Sequence, residues 1–174
     1  MKKIMFAAAA AALAFATAGA AQAATFLPAS TTSQFRGTVT VQQNITLTGC
    51  TMNVTVASTA LSGGSNTAAA TAASLSGGLC GLVTFNSFNW PIAVTGSSGG
   101  VANQLTISGI GVGALSGTCA GSSVVAWSQS SAPSTITFSN PGSNIPPSGS
   151  STNPCRISGI LSQISPATQV TIAP

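Results

Sequence analysis

Thr38-Val39-Thr40-Val41, Asn44-Ile45-Thr46-Leu47 and Asn53-Val54-Thr55-Val56 follow one another along a single stretch of chain, and in each of them apolar and polar residues alternate. Successive side chains of an extended strand point to opposite faces, so a period of two predicts strands with one buried face. Val, Ile and Thr, which fill these runs, suit a pleated surface. The pattern returns at Leu82–Phe85, Pro91–Val94, Gln104–Ile107, Ser123–Trp127, Thr135–Phe138, Arg156–Ile160 and Gln169–Ile172, each run bounded by Gly, Ser, Asn or Pro. No helical period of comparable length separates them. The expectation is an all-β protein, a single sandwich- or barrel-like domain of short antiparallel strands. Ala68–Leu75 is rich in alanine but mixed with Thr and Ser and flanked by glycines, and reads as loop or irregular strand. Ser58–Asn66, with Gly63-Gly64, and Ser139–Pro154, with four prolines, read as loops. The second is long for a structureless connection, which marks it as a mobile segment or an interaction loop.

The N-terminus sets the expected compartment. Lys2 and Lys3 precede an apolar stretch from Ile4 to Ala18, and Ala21-Gln22-Ala23 then has the A-x-A form of a signal-peptidase site. Residues 1–23 are read as a secretory signal peptide cut between Ala23 and Ala24. The apolar stretch is shorter than the roughly 20 residues that span a bilayer, and no later segment is longer. Residues 24–174 then form the exported domain, whose length suits one core.

Charge excludes most chemistry. The sequence has no Asp, Glu, His or Tyr, and of its four basic residues only Arg36 and Arg156 lie beyond the leader. Two isolated arginines make no patch for phosphates, so nucleic acid is not an expected partner. General acid–base catalysis needs a group titrating near the working pH, and serine nucleophiles need a base to activate them. Hard cations need carboxylate oxygens, and catalytic zinc usually needs His or carboxylate ligands. The expectation is a protein with no catalytic residue, no metal and no cofactor.

Cys50, Cys80, Cys119 and Cys155 contain no C-x-x-C pair, which argues against zinc ribbons and redox motifs. In an exported chain they read as two disulfides, with three connectivities open. A weak repeat favours one of them. Leu47-Thr48-Gly49-Cys50 resembles Leu115-Ser116-Gly117-Thr118-Cys119, and the second cysteine of each half precedes a strand-like run. Halves 24–100 and 101–174 would then be closed by Cys50–Cys80 and Cys119–Cys155.

Gly96–Gly100 and Gly109, Gly111 and Gly113 lack the Gly-Lys-Ser/Thr ending of a phosphate loop and read as turn and bulge glycines. Asn44-Ile45-Thr46 and Asn53-Val54-Thr55 match the glycosylation tripeptide but lie in expected strands of a Thr-rich chain. The aromatics are read mostly as core. For Phe85, Phe88 and Trp90, clustered around Pro91, two readings stand: a strand end that anchors the core, or an exposed apolar contact patch.

The frame resembles the exported PraB-like family, described as activators of alkane oxidation. The resemblance rests on the leader ending before Ala24-Thr25-Phe26, the Asn89-Trp90-Pro91 element, Leu115-Ser116-Gly117-Thr118-Cys119-Ala120-Gly121, and Cys155-Arg156-Ile157-Ser158-Gly159. It implies a secreted or cell-surface protein that helps growth on hydrocarbon or in biofilm, with no catalytic residue to carry over. A domain of almost no charge loses little electrostatic hydration at an oil surface, so an apolar surface or hydrocarbon is the expected partner, together with self-association. The alternative is a structural subunit of a surface fibre, because Arg36–Val41 leading to Cys50 looks like the first strand of a chaperone-usher pilin, and uncharged edges invite strand addition. Against it, Val170–Pro174 lacks the terminal aromatic residue common in such pilins.

Overall fold

The computed structural model describes residues 23–114 and 116–174, so residues 1–22 of the expected leader, and Leu115 of the expected repeat, lie outside the described residues. In chain order the strands are β1 (Thr25–Leu27), β2 (Thr32–Gln42), β3 (Thr46–Ser58), β4 (Ala68–Ser76), β5 (Thr84–Asn86), β6 (Trp90–Ser98), β7 (Val101–Ala114), β8 (Gly117–Ser128), β9 (Thr135–Phe138), β10 (Asn144–Ile145), β11 (Pro147–Ser148), β12 (Cys155–Ser165) and β13 (Thr171–Ala173). A 3-10 turn, Gly78–Leu82, lies between β4 and β5. Strands β2, β3, β4, β6, β7, β8, β9 and β12 pair antiparallel in that order, and β12 returns to β2. The result is a closed, eight-stranded up-and-down barrel. Residues 24–100 supply its first four strands and residues 101–174 the other four, with the Gly99-Gly100 hairpin between, both glycines at positive φ as tight hairpins require.

Alternation explains the wall. Phe35, Val39 and Val41 of β2, Cys50, Met52 and Val54 of β3, and Ile157 and Leu161 of β12 are buried, while their neighbours Thr38, Thr40, Asn53, Arg36 and Ser158 face outward. Apolar inside and polar outside is the reverse of a transmembrane barrel. Among the described residues no helix is long and apolar enough to cross a membrane. With no side-chain carboxylate in the sequence, side-chain ion pairs cannot hold the fold. Burial does, at roughly 1.5–3 kcal/mol for each Val, Leu, Ile or Phe removed from water. Phe35 and Trp127 meet edge to face in the core, centroids 5.9 Å apart.

Several sequence expectations need correction. Of the two readings of Ala68–Leu75, loop is overturned and irregular strand holds: β4 pairs with β3 from Ser58↔Ala68 to Thr51↔Ser76, with Thr71 bulged out of register between Val56↔Ala70 and Thr55↔Ala72, and pairing with a Val-rich neighbour overrides alanine's weak β preference. Leu82 is in the 3-10 turn rather than a strand, because Gly77 and Gly78 at positive φ turn the chain toward the Cys80 bridge. Asn44-Ile45 is a turn, closed by Gln43 N–H to Ile45 O at 3.1 Å. Ser139–Pro154 is packed against the barrel. β9 is too short to span from β8 to β12, and β10 and β11 fill the gap by pairing with β12 and β8 respectively. There Ile145 is fully buried, and Ser143 donates its hydroxyl to Val124 O at 2.6 Å. β2, the strand likened to a pilin edge, is flanked on both sides by β3 and β12 and presents no free edge.

One polar side chain sits at odds with this interior. Ser123 on β8 is buried, and its Oγ has no hydrogen-bond partner among the described residues. An unsatisfied buried hydroxyl costs about 1–3 kcal/mol, and alanine leaves almost no void. Ser123→Ala is therefore expected to raise stability by about 1 kcal/mol, read as a higher urea midpoint with unchanged slope. A lower midpoint would mean that the hydroxyl is satisfied in solution.

Candidate apolar contact surface

Antiparallel order places the beginnings of β3, β8 and β12 and the end of β4 at one end of the barrel. Cys50, Cys119, Cys155 and the Gly78–Leu82 turn are all there. The bridges are Cys50–Cys80, with Cα atoms 5.6 Å apart, and Cys119–Cys155, 6.0 Å apart. All four sulfurs are thus engaged, and no thiolate remains to bind a metal.

The wall between β4 and β7 is interrupted. β5 pairs with β7 at Phe85↔Val112, β6 pairs with it from Ile92↔Ile107 onward, and Ser87–Asn89 bends between them with Ser87 at φ 61°. Trp90 closes the bend by donating its indole N–H to Asn86 O at 2.8 Å. Its ring is buried, with Phe85 edge-on at 5.7 Å and Phe88 stacked at 4.6 Å. Phe88 itself is 38% exposed. The structure thus brings Phe85, Phe88 and Trp90 together in two roles: Trp90 and half-buried Phe85 join the core, and Phe88 faces out.

Sequence reasoning missed Leu79 and Leu82, which are 58% and 55% exposed on the 3-10 turn. Side chains at i and i+3 of such a turn eclipse one another, so the two leucines share a face, and the Cys50–Cys80 bridge fixes the turn that carries them. The signal was available in Gly77-Gly78-Leu79-Cys80-Gly81-Leu82, where glycines leave two leucines nothing local to pack on. Leu79, Leu82 and Phe88 come from one segment of an almost uncharged surface. Of the residues at the expected cleavage point, Ala23 is exposed, while Ala24 is buried and its carbonyl accepts from Asn66 N–H at 3.1 Å.

Fold and surface together define a disulfide-bonded, up-and-down β-barrel with a carbon-filled interior and a nearly uncharged wall. Paired cysteines of this kind belong to oxidising compartments. The chain belongs to the PraA/PraB-like family of alkane oxidation protein activators, whose family model matches residues 1–172. No curated protein and no solved structure matches it.

Proposed function

We propose that the protein is exported, is cut between Ala23 and Ala24, and acts without catalysis at apolar interfaces outside the cell, adsorbing to hydrocarbon through Leu79, Leu82 and Phe88. The observation that carries this reading is the exposure of those three side chains on a segment pinned by a disulfide and by the Trp90 bond to Asn86. A rigid apolar patch loses little conformational entropy on adsorption. The uncharged wall around it loses little hydration. The family's description as activators of alkane oxidation supports the same reading.

The test is interfacial tension at a hexadecane–water boundary. The mature protein is expected to lower the tension equally at low and high salt, because no charged patch is present to be screened. Phe88→Ser together with Leu79→Ser and Leu82→Ser is expected to raise the half-saturating concentration roughly tenfold or more, which corresponds to about 1.4 kcal/mol. Unchanged adsorption by that variant, or adsorption abolished by salt, would count against the reading.

A second reading, self-association, has one observation in its favour. The barrel closes between β4 and β6 over only Ala68↔Ile92, Ala69↔Pro91 and Ala70↔Trp90, and one of these residues is a proline without an N–H. Ala93–Ser98 therefore pairs with a strand only on its β7 side, and it carries no charged gatekeeper. Two bulges around Gly96 twist this edge away from regular pairing. Light scattering that grows with concentration would favour this reading over adsorption alone.

A further inference from the structure

The end of the barrel opposite the disulfides is closed by a ribbon made from the two ends of the folded chain. β1 and β13 pair as Thr25↔Ala173, Phe26↔Ile172 and Leu27↔Thr171. A single side-chain amide holds each outer edge. Asn66 accepts from Phe26 N–H at 2.6 Å and donates to Phe26 O at 2.9 Å. Gln129 accepts from Ile172 N–H at 2.6 Å and donates to Ile172 O at 3.3 Å.

Beneath the ribbon lies a cavity of about 30 Å³, with Phe26 and Ile172 above and Phe35, Leu105, Trp127 and Ile136 below. A cavity of that size has room for a water, but a water held there needs about two to four polar partners and this lining is mainly carbon. Of the polar groups near it, Ser33 contributes a buried hydroxyl to the lining and the others are committed elsewhere. Trp127 gives its indole N–H to Gln129 Oε1 at 2.8 Å, Ser58 gives its hydroxyl to Pro28 O at 3.0 Å, and Thr31 gives its own to Ala29 O at 3.0 Å. At the rim stands Leu27, 41% exposed.

We infer that this crevice takes the end of an unbranched saturated alkyl chain, methyl group first. Apart from the Ser33 hydroxyl the lining offers carbon, so a polar head gains little inside, and the narrow cavity admits one methyl or methylene at a time. The bonds that hold the ribbon lie on its outer edges, at Asn66 and Gln129. These bonds engage the ribbon's backbone, so the Phe26 and Ile172 side chains can turn aside for a chain end while the backbone stays tied, through Gln129, to Trp127 of the floor. The chemistry is shared by a free n-alkane and by the tail of an amphiphile. The site is separate from the Leu79–Phe88 surface, at the other end of the barrel, and the two readings can fail independently.

The test is a titration of the mature, oxidised protein followed by proton–nitrogen correlation spectra, with n-octane, octanoate and cyclooctane as probes. Shifts are expected at the Trp127 indole and at the Phe26 and Ile172 amides with n-octane or octanoate, and which of the two saturates the site identifies the source of the chain. Cyclooctane is expected to bind at least tenfold more weakly. Val56→Phe, which adds bulk to a half-buried wall residue of the crevice, is expected to weaken those shifts at least tenfold while the protein still lowers hexadecane tension. Val170→Phe fills the crevice from the other side should Val56→Phe not fold. No response at Trp127, Phe26 and Ile172, a response confined to Phe88 and the Leu79–Leu82 turn, or full binding by a folded filled variant would each overturn the inference.

Discussion

Reduction of both disulfides is expected to bring the barrel to the edge of unfolding. The bridges span 30 and 36 residues, and on a chain-entropy account loops of this size contribute about 3.5 kcal/mol each. The loops do not overlap, so their effects add to roughly 7 kcal/mol against a typical total of 5–15 kcal/mol. Nothing else constrains the unfolded chain so strongly, and ion pairs cannot substitute because the sequence has no acidic side chain. With a urea slope near 2 kcal/mol/M, the midpoint should fall by roughly 3.5 M on reduction. The variant pairs Cys50→Ala/Cys80→Ala and Cys119→Ala/Cys155→Ala should each show about half of that loss. The first should also release the Leu79–Leu82 turn and weaken adsorption to hexadecane beyond its effect on stability. A midpoint unchanged with all four thiols titrated free would refute this account of stability.

The wall of the barrel was legible in the sequence wherever one face of a strand is buried. Thr38–Val41, Asn53–Val56, Ser123–Trp127 and Thr135–Phe138 alternate because one side meets the core and the other meets water, and each lies within an observed strand. Closure was not legible. Sandwich and barrel share the same period, and what separates them here is the return of β12 to β2, a pairing between residues more than a hundred positions apart. β4 was hidden because alanine has no strong preference of its own and takes its conformation from β3. The long proline-rich segment looked mobile because its one anchoring apolar residue, Ile145, leaves no period to detect. At the candidate surface, aromatic clustering located the bend but not the division of labour within it. Whether a ring faces in or out depends on the turn at Ser87 and on the indole bond to Asn86, and neither leaves a mark in composition.

The ribbon was hidden for a related reason. Gln169–Ile172 read as a strand but without a partner, and three-residue β1 is too short to show a period. Its two clamps, Asn66 and Gln129, look like ordinary loop polar residues. They act as substitutes for neighbouring strands by presenting one acceptor and one donor to a single residue's backbone. A chain whose only charged side chains beyond residue 23 are Arg36 and Arg156 must satisfy buried polar backbone mainly through neutral groups, and, with no histidine in the sequence, side-chain amides are the neutral side chains here that carry both a fixed donor and a fixed acceptor.

Alanine at Gly37 is expected to break the barrel where β2 meets β12. The register sets Gly37 opposite Leu161 and Val39 opposite Gly159. A Cβ added to Gly37 would overlap the carbonyl oxygen of Ile160, and one added to Gly159 would stand 2.5 Å from Thr38 O and 2.9 Å from Val39 Cα. These obstacles are backbone atoms, which cannot move aside by changing rotamer, so the strands themselves must separate. Overpacking of a core costs about 1–3 kcal/mol even where side chains yield, so Gly37→Ala is expected to cost at least about 3 kcal/mol. Gly159 carries a second constraint, φ of 146°, where a Cβ is strained whatever the space, at about 1–3 kcal/mol more. Gly81, with nothing within 4 Å of its added Cβ, is the control, and Gly81→Ala should stay within about 0.5 kcal/mol of the parent. Urea denaturation of the three single variants, followed by circular dichroism, reads these differences. A Gly37→Ala protein as stable as the Gly81→Ala protein would mean that β2 and β12 do not approach this closely in solution. The closure that distinguishes this barrel from a sandwich would then rest on the other strand pairs.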